Sequence, residues 1–174
     1  KSRSAEEVFA EVAKDKAFYE NSGGGRTVAG GEPMAQCAVT KELLTLAKAD
    51  GVHTALETCG FAPEERDREI LPLVDLFLFD VKSVVPENHR RFTGQDNALI
   101  LRNLNLLDAA GAEIRLRCPL VPGLNDSEAE LRGIAALADS LQNVCGIDVE
   151  PYHPLGVSKA ARLGIANGFA APMR

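Results

Sequence analysis

No CxxC pair occurs in the 174-residue chain: its four cysteines, Cys37, Cys59, Cys118 and Cys145, stand far apart, and no histidine lies near enough to complete a zinc or cluster site. They read as reduced thiols, each a small apolar residue in or near the core. Cys59 stands apart from the others because it falls in a turn where a strand ends. Positive charge is also in deficit. Lys and Arg total 19 against 25 Asp and Glu, a formal net charge of −6, so no basic field exists to hold nucleic acid and an anionic membrane is disfavoured. No apolar run approaches the roughly 20 residues of a membrane span. The opening KSRSAEEVFAEV lacks the uninterrupted apolar core of a signal peptide, and a cytoplasmic protein is expected. Low-complexity linkers and sequence repeats are missing too, which points to a single domain over residues 1–174. The Gly23–Gly25 triplet is not a P-loop, since no GK(S/T) follows, and it does not match GxGxxG.

What is present is the composition of an ordinary globular domain, 45% hydrophobic and 25% charged. Ser4 followed by Glu7 is a capping box that opens a first helix ending near Asn21. A short buried strand over Thr27–Ala29 and a second helix opening at Pro33 and stopping at Gly51 come next. Strands are then expected at 53–57, 75–81, 113–119 and 146–150, with helices at about 63–71, after Pro86, at about 97–110 and after Asp126 or Ser127. The run LFLF, with helices either side, suits a parallel strand covered on both faces. Repeated strand–helix alternation indicates α/β architecture, a partial TIM-like (β/α) barrel of about five parallel strands. A closed (β/α)8 barrel usually takes about 250 residues, so the barrel or the chain is expected to be incomplete.

Functional loops in such folds lie at the carboxyl ends of the strands. Those ends carry GGEP (30–33), ETCG (57–60), DVK (80–82), RCPLVPG (117–123) and EPYHPLG (150–156). Asp80 and Lys82, two apart on a strand, share a face opposite Phe77, Phe79 and Val81, and are expected to point into the barrel. Gly30 and Gly31 permit close backbone approach, and Glu32 offers a carboxylate suited to an ammonium group rather than a phosphate. Glu57 adds a second acid. Arg117 shares a face with Arg115 and Glu113 and needs an anion or carboxylate to meet it. His153 stands after the last strand as a stacking or hydrogen-bonding residue. Mixed charges gathered at one rim suit a small zwitterionic ligand.

The segments FYENSGGGRTVAGGEP, ALETCG, LFDVK, RFTG, PLVPGLNDSE and PYHPLG, in this order and spacing, resemble the radical S-adenosylmethionine enzymes that activate glycyl radical enzymes. Pyruvate formate-lyase activating enzyme is the best-known member of that family, and the resemblance runs from about Ser4 to Leu163. It implies an oxidoreductase of anaerobic metabolism that cleaves S-adenosylmethionine reductively and takes a hydrogen from a glycine of a partner enzyme. Gly30, Gly31 and Glu32 match the motif that binds the cosubstrate's ammonium. Asp80, Val81 and Lys82 match a segment contacting the same molecule, and Glu57 and Asp80 match acids near its carboxylate, where a monovalent cation is also expected. Arg117 matches a site arginine, and His153 a histidine on the ribose or adenine side. A glycyl radical enzyme as protein substrate and flavodoxin or ferredoxin as electron donor are the implied partners.

Two departures stand out. Ala29 replaces the serine usual before GGEP, and the CxxxCxxC motif that holds the family's 4Fe-4S cluster has no counterpart here, so the chain is expected to be a fragment whose cluster ligands lie elsewhere. The unpaired sheet edges of such a fragment predict a homodimer. The rival readings are a Schiff-base aldolase with Lys82 as nucleophile and Asp80 as its acid–base partner, and an inert docking domain.

Overall fold

A computed structural model describes residues 3–152 together with Arg162 and Gly164; His153 lies outside the described residues. The capping box forms as its spacing requires: Glu7 N donates to Ser4 Oγ at 3.2 Å and Ser4 N to Glu7 Oε2 at 3.1 Å, opening α1 (Ala5–Val12). The expected single helix is broken by a 3₁₀ turn at Ala13–Asp15 before α2 (Lys16–Ser22). There Lys16 turns its ammonium onto the backbone carbonyl and carboxylate of Asp50.

Next, β1 (Gly25–Val28) starts where glycine is required, because a Cβ on Gly25 would lie 2.1 Å from the carbonyl oxygen of His53 on the neighbouring strand. Pro33 opens a 3₁₀ turn rather than the helix itself, and α3 (Cys37–Ala49) follows. The remaining elements are β2 (His53–Thr58), α4 (Glu64–Ile70), β3 (Leu76–Asp80), α5 (Pro86–Thr93), α6 (Ala98–Ala109), β4 (Ile114–Leu120), α7 (Glu128–Ser140) and β5 (Val144–Pro151). The five strands among the described residues are parallel and lie in the order β1-β2-β3-β4-β5. Spatial order follows chain order, so successive crossovers step one strand further along the sheet. That is the winding of a barrel, not of a doubly wound sheet. Among the described residues the sheet is open, with β1 and β5 as its edges.

The pleat divides the strands as period-2 alternation demands. Phe77, Phe79 and Val81 are buried together with Ile114, Leu116 and Cys118 against Leu44, Ile70, Ile100, Leu104 and Leu107 of the helices. The opposite, concave face carries Glu57, Asp80, Arg115, Arg117, Asp148 and Glu150, all half-buried. On β5 the helix-side layer is not covered by the described residues: Ile147 and Val149, in register with Leu116 and Cys118, are 40% and 55% exposed. Cys145 shares that exposure, which corrects the expectation that every cysteine packs near the core. Cys37 and Cys59 are half-buried, Cys118 is buried, and all four thiols are free.

Candidate functional site

Two adjoining constellations stand at the carboxyl ends of β1 to β5. The first is built on the turn after β1. Gly30 and Gly31 hold φ values of +97° and +58°, a backbone open to glycine, with clear space where each Cβ would stand. This turn delivers Glu32 to the end of β2. Its Oε1 accepts from Met34 N at 3.0 Å and from Thr58 Oγ1 at 2.7 Å, and Oε2 accepts from Cys59 N at 2.9 Å. Three of roughly four lone-pair directions are thereby taken. The Cys59 thiol leans on the remaining capacity, and its pKa is raised by burial and then by Glu32. A thiol is a weak donor, so an ammonium group arriving at Glu32 displaces a weak contact in favour of a charge-assisted one. Thr58, which no sequence argument singled out, is the anchor of this arrangement; its signal lay in its place between Glu57 and Cys59 at a strand end.

The loop bearing Cys59 is closely held. Gly60 has φ +68°, and a Cβ there would come within 2.3 Å of the Phe79 ring. Asn103, buried on α6, donates to the carbonyls of Gly60 and Ala62, both at 2.8 Å.

The second constellation is a charge cluster on the concave face. Arg117 Nη1 lies 2.8 Å from Glu57 Oε1 and 3.5 Å from Asp80 Oδ1, and Nη2 lies 2.6 Å from Glu150 Oε1. The register explains the reach: Asp80 faces Arg117 across the β3–β4 pair, and Glu57 sits one strand further, beside Leu78. Lys82 Nζ stands 3.6 Å from Asp80 Oδ2. Three carboxylates therefore meet two cations. Burial opposes the charge on Arg117, but Glu57, Glu150 and Asp80 outweigh it and raise its pKa above the ordinary arginine value. Burial pushes the Asp80 carboxyl up, with Lys82 and Arg117 opposing and Glu57 and Glu150 reinforcing the rise. A neighbouring pair, Arg115 with Asp148 at 2.8 Å, continues the cluster along β4 and β5.

Of the sequence candidates, Glu57, Asp80, Lys82 and Arg117 are brought together, and Gly30, Gly31 and Glu32 join them through the Thr58 anchor. Glu150 is a member of the cluster that only its place in the EPYHPLG segment foreshadowed. Val81 is different: its side chain is 3% exposed in the helix-side core, so it offers the rim only its backbone. The gap between Glu57 and Asp80, where a monovalent cation was expected, is bridged here by the Arg117 guanidinium.

Behind Glu32 lies a residue that sequence reasoning did not reach. Asp67, on α4, is 1% exposed, and its Oδ2 has no hydrogen-bond partner. Burial, then the charges of Glu32 and Glu64, push its carboxyl up to about 7. Its only sequence signal was its position three residues before Ile70 on the helix face that is buried.

Among the described residues no group of three or more His, Cys, Asp or Glu side chains is placed to hold a metal ion. The four thiols are distributed over α3, the loop after β2, β4 and β5, so the residues here do not fit a 4Fe-4S cluster. No helix among the described residues is long and apolar enough to cross a membrane.

Residues 1–132 match the radical SAM superfamily. The choline trimethylamine-lyase activating enzyme of Oleidesulfovibrio alaskensis is 42% identical over 161 residues, covering 91% of this chain and 52% of that protein. The pyruvate formate-lyase-activating enzyme of Listeria monocytogenes is 38% identical over 179 residues, covering 98% of this chain and 72% of that protein. This chain spans about half the length of several of these curated relatives. Among solved structures, a domain of pyruvate-formate lyase-activating enzyme from Bacteroides vulgatus superposes with a TM-score of 0.70 at 31% identity, over 75% of this chain and 81% of that one. Streptococcus suis SuiB bound to S-adenosylmethionine reaches 0.72 at 11% identity, over 94% of this chain and 38% of that one, a likeness of fold.

Proposed function

Because the chain belongs to the radical SAM superfamily, with activating enzymes of glycyl radical enzymes among its relatives, we propose that it is the cosubstrate-binding part of such an activase. The intact protein would cleave S-adenosylmethionine reductively and generate a glycyl radical on a partner enzyme. The superfamily's cofactor is a 4Fe-4S cluster, which supplies the electron; the described residues offer it no thiolate triad, and their own part is to bind and orient the cosubstrate.

One observation carries the reading: Glu32, whose remaining acceptor capacity meets only the weak Cys59 thiol, is anchored on Thr58 next to Glu57, whose charge cluster holds the cations Arg117 and Lys82. S-adenosylmethionine presents both groups on one carbon. Gly30, Gly31 and Glu32 are assigned to its ammonium, with Asp80, Lys82 and the backbone of Val81 beside its methionine part. Glu57 and Arg117 take the carboxylate side, where a monovalent cation is an alternative counter-charge to the guanidinium. His153 is assigned to the ribose or adenine side.

A glycyl radical enzyme as protein substrate fits what the relatives' names record of those proteins. A flavodoxin or ferredoxin donor, a cytoplasmic location and a single domain over residues 1–174 belong to the same proposal. Pairing through the open edges of β1 and β5 is proposed for the isolated chain.

Calorimetric titration of the holoenzyme with S-adenosylmethionine tests the assignment. Saturable binding that Glu32→Gln weakens at least tenfold is expected, and binding indifferent to that change overturns it. Borohydride trapping of a carbonyl substrate on Lys82 would favour aldolase chemistry instead.

A further inference from the structure

The loop from Lys82 to Val85, between β3 and α5, is gripped by buried polar side chains from α7, from the turn between β4 and α7, and from the residue that precedes α6. Glu130, 1% exposed on α7, accepts from Ser83 Oγ, from Val84 N at 3.0 Å and from Asn88 Nδ2 at 2.9 Å. Asn125, 5% exposed, donates to the carbonyls of Lys82 and Pro119, both at 2.7 Å, and its Oδ1 accepts from Val121 N at 2.7 Å. Asn97, 2% exposed, donates to the carbonyls of Ser83 and Val84, both at 3.1 Å.

The placement of Glu130 is not that of an ordinary cap. Ser127 and Glu130 repeat the S-x-x-E spacing of Ser4 and Glu7, and Ser127 Oγ accepts from Glu130 N at 3.3 Å. In the first pair the glutamate returns to its own N-cap amide. In the second it abandons that amide and reaches to the loop after β3. Helix α7 also comes unusually close. A Cβ on Gly133 would lie 2.5 Å from Val84 Cγ2, so glycine stands in the helix interior for clearance and not for a positive φ. A solvent-facing connection of this length could satisfy its backbone with water. Burying a carboxylate and two carboxamides around it makes sense where the position of the loop matters.

We infer that Asn125, Glu130 and Gly133 are positioning residues that lock the 82–85 loop, and thereby set the affinity of the rim for its ligand without touching it. Asn125 bonds the Lys82 carbonyl and the end of β4, so it couples Asp80 and Lys82 to the strand that carries Arg117. The inference rests on the reading that the Asp80–Lys82 segment contacts S-adenosylmethionine. Freed, the loop samples other arrangements, and apparent affinity falls by the fraction of time the binding arrangement is lost.

The test compares the full-length holoenzyme with its Glu130→Gln and Gly133→Ala variants. S-adenosylmethionine dissociation constants come from calorimetry, melting curves are recorded in parallel, and amide exchange is followed at residues 83–85. A loop that is competent a tenth of the time weakens binding about tenfold, raising KM while kcat at saturation holds, with faster exchange at Val84 and Val85. Gly133→Ala keeps every hydrogen-bonding group and carries the test if Glu130→Gln fails to fold. Adding Val84→Ala to it restores clearance, and affinity is expected to recover. Folded variants with faster loop exchange but an unchanged dissociation constant overturn the inference while leaving the cosubstrate assignment standing. A wild-type protein that binds no S-adenosylmethionine overturns both.

Discussion

Replacing Asp67 by Asn removes a buried ionisable group while keeping its shape, and the consequence is a change in how stability depends on pH. An Asp in an unfolded chain titrates near 3.9, whereas burial and the charges of Glu32 and Glu64 push folded Asp67 up to about 7. Between those two values the folded protein keeps a proton that the unfolded chain has released. Stability from this group is therefore complete below the unfolded pKa and is lost as pH rises through the folded one. At about 1.4 kcal/mol per tenfold change in proton affinity, the full loss is on the order of 4 kcal/mol, of which about 2–3 falls between pH 5 and pH 8. Asn carries an unsatisfied amide of its own, a cost of about 1–3 kcal/mol that does not vary with pH and cancels from the slope. Urea unfolding of wild type and Asp67→Asn across pH 5 to 8.5 measures the difference directly. The variant should gain on the wild type steadily with pH and level off above about 7.5. A pH-independent difference would refute the account of Asp67 as a proton-bearing carboxyl behind Glu32. The point bears on the site, because an ionised Asp67 adds negative charge next to the carboxylate assigned to an ammonium.

Arg117→Met leaves Glu57, Asp80 and Glu150 without their shared cation. Stability at pH 7 should fall by on the order of 2 kcal/mol, less than for a fully buried pair, and the deficit should shrink as pH falls and Asp80, already raised by burial, takes a proton. Carboxylate titration by NMR would show Asp80 moving further up, and an unchanged titration would contradict the shared-cation geometry. Gly60→Ala meets both a positive φ and the Phe79 ring, so chemical denaturation should show a loss of about 2–4 kcal/mol, while Gly111→Ala, with a positive φ in open space, should cost about 1 kcal/mol. Phe79→Ala opens a cavity among fully buried neighbours and should cost about 3–5 kcal/mol by the same measurement.

The rim loops were legible because glycine, proline and strand-end charges mark them locally. GGEP, ETCG and DVK fall at the ends of β1, β2 and β3. Strand and helix boundaries agree with the sequence pattern to within a few residues except where 3₁₀ turns intervene at Ala13–Asp15 and Pro33–Gln36. Asp67 was invisible because EERDREI reads as a solvated helix of alternating charge; only the packing of α4 against the core shows which of its acids is enclosed. Cys145 was misplaced for the converse reason. An apolar alternation along β5 implies a covered face, and nothing in the strand itself says whether a helix lies over it.

By itself the amino-acid order determined the alternation of elements, the inward and outward faces of each strand, and the gathering of polar residues at one end of a parallel sheet, because periods of 2 and 3.6 and the backbone rules for Gly and Pro are local. Tertiary structure alone decided the pairings. Glu32 finds Thr58 across 26 residues, Arg117 finds Glu150 across 33, and Glu130 leaves its own helix cap for Ser83 across 47. Which charges meet at such separations is set by strand register and by the closeness of α7 to the loop after β3, and these follow from the packing of the whole sheet and its helices.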